Sequence, residues 1–266
     1  MEIGAGTRVF AVLGDPVAHS MSPMMQNAAM RTLGLDAAYV AFRCPAGRLA
    51  EVVNVLARSG GGGNATIPHK EALAGLVETI GPTPLASCNT FWGDGERILG
   101  AETDSAGIRA AWERLGAPEG PWLIAGTGGS ALAAVRAANA VGVAVAVRSR
   151  SAARAAGLRR QAETLGVASV EPEAAAVAIN CTPLGLAADD PLPLDPAAFP
   201  GLRAALDLVY RRGATEWVRV CRGRGLPAAD GREVLVGQGA AAFECWFPGV
   251  KAPVEVMRAA VERGLR

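Results

Sequence analysis

Metal-binding and disulfide patterns are missing from this chain. Its five cysteines (Cys44, Cys88, Cys181, Cys221, Cys245) form no CxxC pair, and only two histidines accompany them. That excludes a zinc site or a disulfide framework and points to a reducing, cytoplasmic setting. Charge of one sign is also missing, since 26 basic residues face 25 acidic ones. A net charge of +1 offers no field for nucleic acid or a membrane surface. No apolar run approaches the roughly 18 residues of a membrane span. Met1 to Arg8 lack the basic and apolar regions of a targeting signal, so a soluble, unprocessed protein is expected. Aromatics make up only 5% of the chain and alanine is abundant, which favours helices packed closely on a sheet over an all-β sandwich.

Half of the 266 residues are apolar, enough for the core of one large or two modest domains. Short apolar runs alternate with helical patterns throughout, so the expected fold class is α/β with mostly parallel sheets. Strands are expected at Arg8 to Leu13, Tyr39 to Phe42 and Cys88 to Phe91, the last ending in a Gly93-Asp94-Gly95 turn. Ser22 reads as an N-cap with Pro23 opening a helix that stops at Gly34. Leu49, Val52, Val53 and Leu56 mark an amphipathic helix. Asp104 precedes a helix to about Leu115.

The stretch Asn64-Ala65-Thr66-Ile67-Pro68-His69-Lys70 concentrates polar groups, a rigid turn and a cation. Gly60 to Gly63 precede it and would let backbone approach a ligand closely. Pro68 is expected to begin a helix with Lys70 in its first turn. The helix dipole disfavours a cation there, which suits a lysine to acid and base work. A surface helix with a solvated lysine is the structural alternative.

A second unit begins near Pro121. Trp122 to Ala125 forms a strand that runs into Gly126-Thr127-Gly128-Gly129-Ser130-Ala131, followed by a helix from Leu132 to Val141. Strand, glycine turn and helix in that order suit a dinucleotide pyrophosphate, with Ala131 as a tolerated variant of the third glycine. The next strand, Val143 to Val147, leads to Arg148, Ser149 and Arg150 where an NAD site carries an acidic residue. Arginines there favour NADP. Arg154, Arg159 and Arg160 fit equally a solvated helix face. Further strands are expected at Ala176 to Asn180 and Ala204 to Leu208, with a helix at Thr215 to Arg222. Cys181-Thr182-Pro183-Leu184-Gly185 is the strand-end loop placed to lie under a nicotinamide, and two helices close the chain after Gly231, with Gln238 in the first.

Eight ordered pieces resemble the shikimate dehydrogenase family: Gly14 to Pro23, Asn64 to Lys70, Asn89-Thr90, Thr103-Asp104, the Gly126 loop, Asn180 to Pro183, Asp207-Leu208-Val209-Tyr210 and Gly237-Gln238. The resemblance implies a substrate-binding and catalytic domain (1–104 plus 238–266), a Rossmann NADP-binding domain (105–237) and a cleft separating them. It implies NADPH-dependent reversible reduction of 3-dehydroshikimate to shikimate, a step toward chorismate and the aromatic amino acids, by a monomer or homodimer. Lys70 would then serve as acid and base with Asp104 as its paired carboxylate, although Asp104 also reads as a plain N-cap. Ser20 and Ser22 would bind the substrate carboxylate, with local capping as their alternative. Asn64, Thr66, Asn89 and Gln238 would hold ring hydroxyls and Tyr210 would border the substrate. Gly126 to Ala131, Arg148 to Arg150, Cys181, Thr182, Pro183 and Leu208 would hold the cofactor. His19 and His69 read as structural.

The chain departs from the family pattern at Glu102 and Val147, where asparagine is usual, at Ala65 for valine, and at Ala86-Ser87-Cys88 for Gly-Ala-Val. A paralogue acting on quinate or an amino-substituted shikimate is therefore a competing expectation. A non-catalytic NADP-binding protein of the same fold is another.

Overall fold

The computed structural model describes residues 3–80 and 86–266. Met1 and Glu2, where the reading of the N-terminus began, lie outside the described residues. The chain divides into two compact units, Met1–Thr103 with Gln238–Gly264, and Asp104–Gly237 with Leu265–Arg266.

The first unit opens with β1 (Arg8–Gly14), α1 (Ser22–Thr32), β2 (Ala37–Arg43), α2 (Leu49–Arg58) and β3 (Gly62–Ala65). α3 (Lys70–Ala74), β4 (Glu78–Thr79), β5 (Thr90–Asp94) and β6 (Arg97–Ala101) follow. The strands form one sheet in the order β2-β1-β3-β5-β6-β4. β1 runs parallel to both neighbours and β4 to β6, as expected of mostly parallel sheets, but β5 is antiparallel to β3 and β6, so this sheet is mixed. The reason is the short β5–β6 hairpin, which antiparallel strands permit and parallel strands do not. It turns at Gly95 and Glu96, so of the expected Gly93-Asp94-Gly95 turn only Gly95, whose φ of 61° glycine adopts without strain, lies in the turn, while Gly93 and Asp94 belong to β5.

Alternation along β1 divides the unit's core. Ala11 and Leu13 face Leu49, Val53 and Ala57 of α2, together with Leu73 and Phe91. Phe10 instead stacks on Trp246 and Phe247, with Tyr39 beside Trp246.

The second unit contains α4 (Asp104–Arg114), β7 (Trp122–Ala125), α5 (Gly129–Val141), β8 (Val145–Arg148), α6 (Ala152–Thr164), β9 (Val177–Asn180), β10 (Ala204–Asp207), α7 (Glu216–Gly223) and β11 (Ala228–Ala229). Its five strands are all parallel, in the order β11-β10-β9-β7-β8. Both faces are covered, as a parallel sheet requires. Trp122, Ile124, Val145 and Ile179 pack under α4, α5 and α6. Leu123, Ala125, Ala178 and Ala205 pack against Trp217, Val218 and Cys221 of α7. The second unit's boundary falls inside α8 (Gly231–Trp246), and α9 (Val254–Gly264) packs on α1 within the first unit. Among the described residues no helix is long and apolar enough to cross a membrane.

Several local expectations need correction. α1 is capped by Met21 without a side-chain bond, and Pro23 is its second residue. Ser22 is therefore not a side-chain cap; its amide donates to Ser20 Oγ at 3.3 Å. Pro68 does not begin α3. It sits in a turn closed by the His69 amide on Thr66 O (2.8 Å), follows a cis Ile67–Pro68 bond, and leaves Lys70 as the first helical residue. α5 starts at Gly129, earlier than Leu132, because the glycine turn itself coils into the first helical turn.

Candidate functional site

In the first unit the glycine run is structural. A Cβ on Gly61 would lie 1.9 Å from Val9 O, and one on Gly63 2.0 Å from Ala11 O. Gly61 and Gly63 thus let β3 sit against β1, a close approach of backbone to backbone. β3 then delivers Asn64, Thr66 and Lys70 beyond the sheet. Asn64 is buried, and its amide donates to Asn89 O (3.1 Å) and Thr90 Oγ1 (2.9 Å) while its Oδ1 accepts from Tyr39 Oη (2.7 Å). Asn89 Oδ1 takes the Thr103 amide at 2.7 Å, and its Nδ2 donates to Thr103 Oγ1 at 3.0 Å. One buried polar network thus spans β2, β3, β5 and the residue before Asp104. Sequence reasoning missed Tyr39, Thr90 and Thr103 as parts of it, because the pairings join positions far apart in the chain.

The Thr66 amide donates to Leu13 O at 2.9 Å, and its methyl lies 2.5 Å from where a Cβ on Gly14 would be. Lys70 is half-buried and its carbonyl accepts from the Cys88 amide at 3.0 Å. His69 is buried with Nε2 2.6 Å from Cys44 O, which makes it structural, and His19 is exposed. Ser20 is half-buried and Ser22 buried at the start of α1. Gln238, which reads as surface without the family resemblance, is buried. Glu102 is half-buried.

In the second unit Asp104 is the first residue of α4, where its charge suits the helix dipole, and Tyr210 is half-buried after β10. The strand ends open onto a cavity of about 760 Å³. Gly126, Thr127 and Gly128 line it from the β7 turn, Arg148, Ser149 and Arg150 from the end of β8, and Cys181, Thr182 and Pro183 from the end of β9. Gly126 has φ 115°, and a Cβ there would meet Cys181 O at 3.0 Å, whereas a Cβ on Gly128 meets nothing within 4 Å. The turn therefore stays open above the N-terminus of α5, whose first amides lack intrahelical acceptors.

Four expected cofactor residues are not on the wall. Ala131 is fully buried in the helix–sheet core, Leu208 packs against that same core, and Gly129, which is exposed, and Ser130 form the first turn of α5 next to the lining residue Gly128. Conversely, Arg154 lines the cavity, not only a solvated face, because Ser151 caps α6 by accepting the Arg154 amide and turns that first helical turn to the opening. Arg159 does turn back, donating to Val147 O at 3.3 Å. Leu184 lines the cavity as part of the expected strand-end loop, while Ser151, Pro193 and Ala125 also line it and were not singled out. Position at a strand end was the available signal. Three arginines and no acidic residue face the space. Burial pushes the Cys181 thiol well up, with Asp207 adding to the shift, so it is no thiolate. Among the described residues no acidic, cysteine or histidine cluster could hold a metal.

A parallel sheet whose first glycine turn opens on an arginine-walled cavity defines a dinucleotide-binding protein of the Rossmann type. Residues 12–90 match the family described as shikimate dehydrogenase substrate binding domain, and residues 231–262 match the shikimate 5'-dehydrogenase C-terminal domain. The chain is 37% identical to the NADP(+) shikimate dehydrogenase of Symbiobacterium thermophilum, over 95% of this chain and 93% of that one. It is similar to the solved shikimate 5-dehydrogenase of Thermus thermophilus in complex with NADP(H) and shikimate, with a TM-score of 0.86, 35% identity, and 96% and 98% of the two chains covered. The chain belongs to the shikimate dehydrogenase family.

Proposed function

We propose that this protein is a cytoplasmic NADPH-dependent shikimate dehydrogenase, reversibly reducing 3-dehydroshikimate to shikimate on the way to chorismate and the aromatic amino acids. The observation that carries the reading is the cavity wall. Arg148, Arg150 and Arg154 stand there with no carboxylate among the lining residues, which suits a 2′-phosphate and leaves a bare ribose diol without its acidic partner. The open turn at Gly128 and the start of α5 suit the pyrophosphate. Held there, the reduced cofactor would supply the hydride that the carbonyl carbon accepts.

The protein's own residues manage the proton. As the carbonyl oxygen gains alkoxide character, Lys70 gives it a proton, and in the reverse direction takes one back, with Asp104 as its paired carboxylate. Asp104 follows Thr103, which Asn89 holds by two bonds, so the carboxylate's backbone is anchored one residue away. Ser20 and Ser22 bind the substrate carboxylate at the α1 N-terminus. Asn64 has given both amide hydrogens to protein acceptors, so toward a ring hydroxyl it acts through Oδ1 as an acceptor. Thr66, Asn89 and Gln238 hold the remaining hydroxyls, and Tyr210 borders the ring. In this reading the first unit binds substrate and the second binds cofactor, in a monomer or homodimer.

Glu102, half-buried two residues before Asp104, favours one rival, a paralogue acting on quinate or an aminoshikimate. Initial rates by nicotinamide absorbance with shikimate, quinate and aminoshikimate, each with NADP and NAD, decide between them; a preference for either analogue overturns the assignment. Lys70→Ala is expected to lower kcat by roughly 10²- to 10⁴-fold while equilibrium binding of shikimate is kept.

A further inference from the structure

Asp207 closes β10, the strand beside the central β9 of the second unit's sheet, and is fully buried, yet the chemistry above does not use it. All three donors to its carboxylate are neutral. Asn180 Nδ2 (2.8 Å) and the Val209 amide (3.0 Å) reach Oδ1, and Thr215 Oγ1 (2.6 Å) reaches Oδ2. Burial pushes this carboxyl up, those donors draw it back, and Asp230 raises it further. In either protonation state Oδ1 faces two N–H donors and remains an acceptor.

That fixes the next residue. Asn180 closes β9, is also fully buried, and must turn its NH₂ toward Asp207. The same Nδ2 donates to Leu184 O at 3.0 Å. Asn180 Oδ1 is consequently left to accept from both the amide (3.0 Å) and the hydroxyl (2.6 Å) of Thr182. The Leu184 amide completes the knot on Thr182 Oγ1 at 3.2 Å. Thr182 and Leu184 line the cavity, on the opposite side of the β7 glycine turn from Arg148, because β9 and β8 flank β7.

We propose that Asp207 is a positioning residue for the cofactor, acting through the Asn180 amide to lock Thr182 and Leu184 as the cavity wall away from the arginines. With the hydroxyl hydrogen of Thr182 committed to Asn180, that wall offers the cofactor an acceptor and no donor at this point. This inference rests on the cofactor reading above, and it concerns only the end of the dinucleotide remote from the 2′-phosphate.

The test is equilibrium binding to the full chain, with NADPH followed by its fluorescence and 2′,5′-ADP by calorimetry. Wild type is compared with Asp207→Ala, Asp207→Asn, Thr182→Val, the Asp207→Ala/Thr182→Val double variant, and Thr215→Val. Asp207→Ala frees the Asn180 amide to turn and is expected to weaken NADPH about tenfold. Asp207→Asn keeps an acceptor for Asn180 and is expected to stay within about twofold of wild type. Thr182→Val weakens NADPH, and the double variant is no weaker than the worse single one, since both break one chain of bonds. Thr215→Val disturbs the same buried cluster and the α7 cap, lowering the melting temperature without moving the NADPH constant. Should Asp207→Ala not melt cooperatively, Asp207→Ser carries the same expectation. An unchanged NADPH constant in Asp207→Ala, losses that multiply in the double variant, or an Asp207→Asn as weak as the alanine variant each overturns the proposal. Binding of 2′,5′-ADP stays within about twofold throughout; if wild type fails to bind it, the cofactor reading has failed instead, independently of Asp207.

Discussion

Arg148 ends β8 with its guanidinium 5.7 Å from the centre of the Phe199 ring, a contact that helps hold an exposed side chain against the cavity wall. Arg150 and Arg154 project from the next turn of chain. A phosphate monoester met by fixed guanidinium groups gains charge-assisted hydrogen bonds that a ribose hydroxyl does not. Arg148→Ala is therefore expected to weaken NADPH by about tenfold or more and NADH by no more than about twofold, as measured by titrating each reduced cofactor. Equal losses would show that Arg148 does not read the 2′-phosphate. Val147, one residue earlier, is buried in the core, so the departure from asparagine there places an apolar side chain in the sheet and none at the wall.

At the scale of elements, two glycine motifs that look alike in sequence perform opposite tasks. Gly63 lies inside β3, where a Cβ would overlap Ala11 O at 2.0 Å, and no rotamer relieves a backbone clash. Gly63→Ala is expected to cost about 3 kcal/mol or more, read as a lowered urea midpoint. Gly128 has φ −87° and open space beyond its Cα, so Gly128→Ala is expected to keep the wild-type midpoint while its methyl weakens NADPH. This contrast marks where the sequence was legible. β7 was readable to the residue because a four-residue apolar run lies between Pro121 and Gly126. α2 was readable because its apolar positions repeat at helical spacing. β3 was not, since Gly62-Gly63-Asn64-Ala65 has neither alternation nor β-branched residues and takes its strand geometry from β1 and β5. The two-residue β4 and β11 were equally silent, as their conformation comes wholly from their neighbours. The cavity's glycine turn and Arg148 were legible because strand, turn and strand end occur in fixed order. The Tyr39, Asn64, Asn89 and Thr103 network was invisible because nothing local to any member reveals its partner.

For the whole molecule that network has a consequence in the pH dependence of stability. Tyr39 lies fully buried in the first unit, and burial raises its phenol well above the usual value near 10. A raised folded-state value means that the neutral phenol's contribution is complete below the unfolded pKa and is lost as pH climbs through the folded one. Unfolded tyrosine sheds its proton above about pH 10 while native Tyr39 keeps its own, so folding weakens by about 1.4 kcal/mol per pH unit there. Tyr39→Phe removes that dependence but leaves buried Asn64 Oδ1 without its 2.7 Å donor, a cost of about 1–3 kcal/mol. The variant should thus be the less stable protein at pH 7 and should close the gap by about one to two pH units above 10. Urea unfolding of both proteins at pH 7, 10 and 11 checks this, and a gap that stays constant across the series would mean that Tyr39 ionises in the native state as readily as in the unfolded chain.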